Sequence, residues 1–152
     1  MAEKKTVFLT GASGHMGWAG FKELYKKKDK LNIVLLLRDS EKNRKKFANY
    51  LNDPSVKIVW GDLKKYDDVL KCVEGSDYVL HVGGMVSPSA DYYPTKTIQT
   101  NTTAAKNIVD AVKAQPNKDD IKVVYIGTVA QTGDRNAPIH WARTGDPIKI
   151  SI

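Results

Sequence analysis

Apolar and polar positions along this chain switch between two periods. Short runs of β-formers recur at Thr6–Leu9, Asn32–Leu37, Val56–Trp60, Asp77–Val82 and Ile121–Ile126. Stretches with helical spacing lie between them. His15–Lys28 is the first, with Met16, Phe21, Leu24 and Tyr25 expected to face inward. Ser40 can cap a second helix running to about Leu51, where Asp53-Pro54 ends it. Lys65–Val73 reads as a short third helix stopped by Gly75. A loop follows at Gly83–Tyr93, and Pro94 or Thr95 opens a long helix to about Ala114. Gln115-Pro116-Asn117 is a turn, and no regular period follows Gly127.

The unbroken run Ile33-Val34-Leu35-Leu36-Leu37 suits a strand buried on both faces of a parallel sheet. Strand–helix alternation with right-handed crossovers predicts an α/β fold, a doubly wound parallel sheet. The expected strand order is 3-2-1-4-5, with the switch point between strands 1 and 4. A ligand belongs beyond the carboxyl ends of those strands.

Composition narrows the class. A chain of 152 residues can bury a real core, and 41% hydrophobic with 27% charged residues is ordinary for a globular domain. The single cysteine, Cys72, excludes an internal disulfide framework and a cysteine-based zinc site. It points to a reducing, cytoplasmic compartment and reads as a small apolar residue of the third helix. The start lacks the layout of a signal peptide, and no apolar run is long enough to cross a bilayer. His81 and His140 lie far apart with no carboxylate cluster, so no metal site is expected.

Net charge is +7. Either a nucleic acid or a small anionic ligand would suit it. Lys26-Lys27-Lys28 falls at the end of the first helix, where cations complement the dipole, and Arg44-Lys45-Lys46 forms a second cluster. Neither is interleaved with aromatics along one stripe, so nucleic acid is set aside.

The most informative stretch is Thr10-Gly11-Ala12-Ser13-Gly14-His15-Met16-Gly17, between the first strand and the first helix. In that context a glycine pattern acquires chemical meaning. Gly11 permits the tight turn, Gly14 lets a pyrophosphate approach the backbone, and Gly17 brings the helix close to the sheet. The backbone N–H groups of Ser13, His15 and Met16 and the positive end of the helix would face the phosphates. The second strand ends at Arg38-Asp39, beside the adenosine ribose in a doubly wound fold. An acid there suits NAD. An arginine fork suits a 2′-phosphate, and with Arg44 and Lys45 nearby NADP is favoured over NAD. Arg38 could also be a solvated strand-end charge.

The spacing Gly11, Gly14, Gly17 with Thr10 in front resembles the TGxxGxxG signature of the extended branch of the short-chain dehydrogenase/reductase superfamily. Its relatives include NAD-dependent epimerase/dehydratases and dihydroflavonol-reductase-like carbonyl reductases. The reductase likeness rests on Val79-Leu80-His81-Val82 and Leu37-Arg38-Asp39. The resemblance implies that Asp62 and Leu63, after the third strand, hold the adenine, although Asp62 could also cap the next helix. It implies that Val82, Gly83 and Gly84 leave room for the cofactor. His81 reads as a packed, hydrogen-bonded strand residue. Asn101, within Thr100-Asn101-Thr102-Thr103, resembles the family's active-site asparagine, while the residues alone allow a surface polar group. Thr128 stands where the family places a serine or threonine on the substrate oxygen.

The family mechanism also needs a Tyr-x-x-x-Lys pair on the helix after the fifth strand, in which the lysine lowers the tyrosine pKa. No tyrosine follows Tyr125, and Tyr92 with Lys96 matches the spacing in the wrong place. Gly133–Trp141 looks like the loop leading into that catalytic helix. The expectation is a single dinucleotide-binding domain over 1–152, truncated before the catalytic helix and the substrate lobe. The implied reaction is hydride transfer between nicotinamide and a carbonyl or alcohol carbon of a nucleotide sugar or small ketone. Alone, the fragment would bind cofactor and turn over little, with bare apolar surface that self-association could cover. The alternative is a non-catalytic, redox-sensing NADP-binding module.

Overall fold

The computed structural model describes residues 3–128 and Gly145. The stretch Gly133–Trp141 and His140 lie outside the described residues. Five parallel strands form one sheet in the order β3-β2-β1-β4-β5: β1 Lys5–Thr10, β2 Leu31–Leu37, β3 Val56–Trp60, β4 Tyr78–His81 and β5 Lys122–Tyr125. The helices are α1 His15–Tyr25, α2 Glu41–Phe47, α3 Tyr66–Val73, α4 Ser89–Tyr92 and α5 Pro94–Lys113. The expected topology is therefore the observed one. Among the described residues no helix is long and apolar enough to cross a membrane.

Strand side chains alternate between two cores. Phe8, Val34, Leu36 and Val79 meet Val69, Cys72 and Val73 of α3 and Ile108 and Ala111 of α5 on one face. Leu9, Ile33, Leu35 and Leu37 meet Phe21 of α1 and Phe47 of α2 on the other. That second face is aromatic. Phe21 and Tyr50 meet edge to face at 4.8 Å, and Trp18 meets Phe47 edge to face at 5.4 Å. Each fully buried ring contributes roughly 1.5–3 kcal/mol by leaving water. Burial of Ala104, Asn107, Ile108 and Ala111 gives α5 one inward stripe at helical spacing.

Three expectations shift. The first helix stops at Tyr25 rather than Lys28, because the chain passes through turns from Lys26 to Lys30 before β2. Ser40 does cap α2, its hydroxyl accepting from the Asn43 N–H at 3.2 Å, but the α-helix ends at Phe47 in a 3-10 turn, Ala48–Tyr50. Met16, expected inside, is 62% exposed in the first turn of α1, and Trp18 packs on the core instead. Every residue of β5 is exposed, with Val123, Val124 and Tyr125 contributing bare apolar surface.

Candidate functional site

Register sets the crevice. Thr10 at the end of β1 pairs with His81 at the end of β4, so the two strands stop level. This is the switch point, since β2 and β3 lie to one side and β4 and β5 to the other. Gly11 then turns the chain with φ +73°. A Cβ on Gly11 would stand 2.7 Å from the backbone of Gly83, and one on Gly17 would stand 2.1 Å from the Gly11 carbonyl oxygen. The glycines at 11 and 17 are thus demanded by backbone meeting backbone.

Gly14 precedes α1 in extended conformation, and its N–H donates to the Gly11 carbonyl at 2.9 Å. No side chain caps this helix, and no acidic residue lies in its first turn. The N–H groups of His15 and Met16 find no acceptor among the described residues, while both side chains point outward and are exposed. The helix start therefore presents donors and a partial positive charge to the crevice. This is the chemistry a pyrophosphate needs, and it uses backbone rather than side chains.

Thr10 ties the crevice together. Its buried hydroxyl oxygen accepts from the N–H groups of Val82 at 3.1 Å and Gly83 at 2.8 Å, and lies 2.9 Å from Nδ1 of His81. With both lone pairs spent, the hydroxyl donates its own proton to Nδ1, and the neutral imidazole carries its proton on Nε2. Burial pushes the His81 pKa below the usual histidine value. His81 is the packed, bonded strand residue expected of it. Thr10, named in the sequence only as part of the glycine signature, is the hub.

Around Gly83 the packing is close. A Cβ there would meet Leu63 Cδ1 and Thr10 Oγ1 at 3.0 Å and Gly11 N at 3.1 Å. On that side the protein leaves little slack, while Gly83 itself stays half-buried. Gly84 is exposed, and a Cβ on it would lie 3.3 Å from Asn101 Oδ1. Val82 is half-buried against the aromatic core.

At the end of β2, Arg38 and Asp39 are both exposed. Arg44 forks onto Asp39, Nε to Oδ1 at 2.6 Å and Nη2 to Oδ2 at 2.8 Å, while its guanidinium lies 4.8 Å from the Trp60 ring. That pairing holds the Asp39 carboxyl below its ordinary pKa. Lys45 is paired with Glu41 at 2.6 Å. After β3, Asp62 does not cap α3, whose N-cap is Lys65; its carboxylate accepts from the Lys64 N–H at 2.9 Å and closes the turn before that helix. Leu63 packs on the aliphatic core, and its carbonyl accepts from Asn107 Nδ2 at 2.8 Å.

Asn101 spends both ends of its amide on one residue. Oδ1 accepts from the Met85 N–H at 2.8 Å, and Nδ2 donates to the Met85 carbonyl at 3.0 Å. It clamps the segment after β4 to α5. Thr128 is exposed beyond β5, at the carboxyl end of the sheet. Tyr92 and Lys96 do not act as a pair: Tyr92 is 78% exposed in α4, and Lys96 of α5 lies over the Tyr93 ring at 5.9 Å.

A parallel sheet with this switch point and an uncapped glycine turn defines a dinucleotide-binding fold. Residues 7–149 match the model of the NAD dependent epimerase/dehydratase family, and the chain belongs to that family. It is 33% identical to a UDP-glucose 4-epimerase of Rickettsia bellii over 128 residues, which are 82% of this chain and 36% of that protein. A UDP-glucose 4-epimerase of Rickettsia felis is 30% identical over the same coverage. The chain thus spans about a third of the length of the curated relatives it matches. Among solved structures, the Bordetella bronchiseptica enzyme WbmH in complex with NAD+ superimposes with a TM-score of 0.66 at 22% identity, covering 86% of this chain and 41% of WbmH. A short-chain dehydrogenase/reductase from Saccharomyces cerevisiae gives 0.68 at 17% identity, covering 86% of this chain and 56% of that one. These two likenesses concern the fold.

Proposed function

We propose that this chain is the dinucleotide-binding part of an NAD(P)-dependent epimerase or oxidoreductase acting on a nucleotide sugar. The observation that carries the reading is the start of α1: backbone donors with no side-chain cap, no acid in the first turn and no acceptor among the described residues, at the switch point of a parallel sheet. These residues fit a pyrophosphate, with Ser13, His15 and Met16 offering N–H groups and Gly14 exposing backbone. Arg38 and Asp39 would bind the adenosine ribose, Asp62 and Leu63 the adenine, and Val82 to Gly84 would border the nicotinamide ribose. Bound nicotinamide supplies or takes the hydride. Thr128 would hydrogen-bond the substrate oxygen at the reacting carbon, and Asn101 would hold the Met85 segment beside it. Similarity to UDP-glucose 4-epimerases supports a nucleotide sugar over a small ketone.

The form of the dinucleotide follows from charge. The family description and WbmH name NAD, which lends no support to NADP. The fork from Arg44 nevertheless neutralises Asp39, so Arg38 leaves the ribose corner net positive. That balance favours a 2′-phosphate. Calorimetric titration with NADP and NAD in parallel tests both levels. Tighter NADP binding, weakened on the order of tenfold by Arg38→Ala, is the expected result. Preference for NAD would move the ribose contact to Asp39. Binding of neither would overturn the reading.

A further inference from the structure

Lys46, on α2, makes a contact that no motif of the sequence marks. Its ammonium donates to the carbonyl of Ser13, inside the glycine turn, at 2.9 Å. It also lies over the Trp18 ring, 4.3 Å from the centroid. Lys46 is half-buried, and among the described residues no carboxylate pairs with it. Burial, and behind it the neighbouring charge of Lys42, lowers its pKa from the ordinary lysine value. The partly desolvated ammonium is thus held between one carbonyl and one ring face, which joins α2 to the turn and to α1.

The geometry forms a closed circuit. Ser13 and Gly14 share one planar peptide, whose C=O and N–H point opposite ways. The C=O is held outward by Lys46, and the N–H is held inward on the Gly11 carbonyl at 2.9 Å. Trp18, which supports the ammonium, donates its backbone N–H to the Gly14 carbonyl at 2.9 Å. The indole itself is wedged against Phe21 at 5.6 Å and Phe47 at 5.4 Å. Turning the Ser13–Gly14 peptide would break contacts on both sides and swing the donors of His15 and Met16 off the crevice.

We infer that Lys46 is a positioning residue of the dinucleotide loop: clamped on Trp18, it fixes the Ser13–Gly14 peptide and thereby aims the N–H groups that start α1. This rests on the dinucleotide reading for its ligand, but the clamp itself can be measured without one.

Two variants test it, Lys46→Met and Lys46→Arg. The guanidinium of arginine keeps a donor for the carbonyl and a face for the indole; methionine keeps only the apolar stem. Two measurements are made on the 152-residue chain, with thermal melting as a check of folding. The first is hydrogen exchange of the Gly14 amide without ligand. The second is calorimetric affinity for NAD, NADP and ADP. Lys46→Met should accelerate Gly14 exchange and weaken all three ligands alike, on the order of tenfold, with Lys46→Arg restoring most of both. Weakening of NADP alone would overturn the inference, since Lys46 would then be a direct ligand of the 2′-phosphate. Unchanged exchange with unchanged affinity would also overturn it. If the wild-type chain binds no dinucleotide while Lys46→Met still accelerates exchange, the clamp stands and the dinucleotide reading falls. Should Lys46→Met fail to melt cooperatively, Lys46→Gln is measured in its place, with the same results expected.

Discussion

The two ends of this sheet are built on opposite rules. At the amino end, side-chain charges tie the elements together. Asp53 accepts from Tyr25 at 2.7 Å, Lys28 at 2.8 Å, and both the N–H and hydroxyl of Ser55 at 2.9 and 2.6 Å. Asp77 accepts from the Thr6 N–H at 2.8 Å and pairs with Lys5 at 2.7 Å, joining the entry of β4 to β1. At the carboxyl end, glycines bring backbone against backbone, Thr10 replaces charge with a hydroxyl, and the helix start keeps its donors unspent. The amino end holds the fold; the carboxyl end holds a shape and leaves polar groups for something else.

Breaking the carboxyl end should cost most. Gly17→Ala places a methyl 2.1 Å from the Gly11 carbonyl oxygen, where only backbone can yield. The expected result is a loss of about 1–3 kcal/mol of stability in denaturant unfolding, with dinucleotide binding no longer measurable by calorimetry. Thr10→Val comes next. It strands the half-buried N–H groups of Val82 and Gly83 and removes the donor to the buried His81. Unfolding should show a loss of about 1–3 kcal/mol, with affinity falling severalfold rather than vanishing.

The amino end should respond differently. Asp53→Asn should lower the thermal midpoint at neutral pH and leave dinucleotide affinity unchanged. The hydrogen bonds from Lys28, then Ser55 and Tyr25, hold the Asp53 carboxyl well below the usual carboxylate range. The unfolded carboxyl titrates near about 4. Its stabilisation is therefore present above that pH and is lost as pH falls through the folded value, so the gap between wild type and variant should close in acid. A fall in affinity at neutral pH would break the division between the two ends.

Sequence periodicity reached the fold because β2 is apolar on both faces and the helices carry inward stripes, which leaves one sheet order to expect. Ser40 was legible for a similar local reason, since a cap acts across three residues. The site was legible only where it is local. The glycine turn lies within eight residues of chain, from Thr10 to Gly17. The packing around Gly83 is not legible, because Leu63, Thr10 and Gly11 are segments that spacing does not bring together. Asn101 could be marked by resemblance, but its grip on Met85 could not. Lys46 is marked only as one member of the Arg44-Lys45-Lys46 cluster, which says nothing of its partner. Its sequence neighbour Phe47 takes the core position, and only the fold shows Ser13 across from it.

The smallest expected effect is the sharpest probe of the carboxyl end, because it is a pH slope rather than a lost side chain. His81 accepts from Thr10 at Nδ1, its ring lies 5.6 Å from that of Tyr125, and burial lowers its pKa. Protonation would put a second hydrogen against a hydroxyl whose lone pairs are already used. The unfolded histidine takes up its proton near about pH 6.5, whereas the folded one does so lower. Stability is therefore whole above that pH and declines as pH falls from the unfolded value toward the folded one. The slope cannot exceed about 1.4 kcal/mol per pH unit, the limit for one proton. Affinity should decline over the same window, since Gly83 hangs on the same hydroxyl. His81→Asn, which keeps an acceptor and cannot titrate, should flatten both curves relative to wild type. A wild-type stability that stays level from pH 7 to pH 5 would mean that the Thr10–His81 link does not respond to protonation.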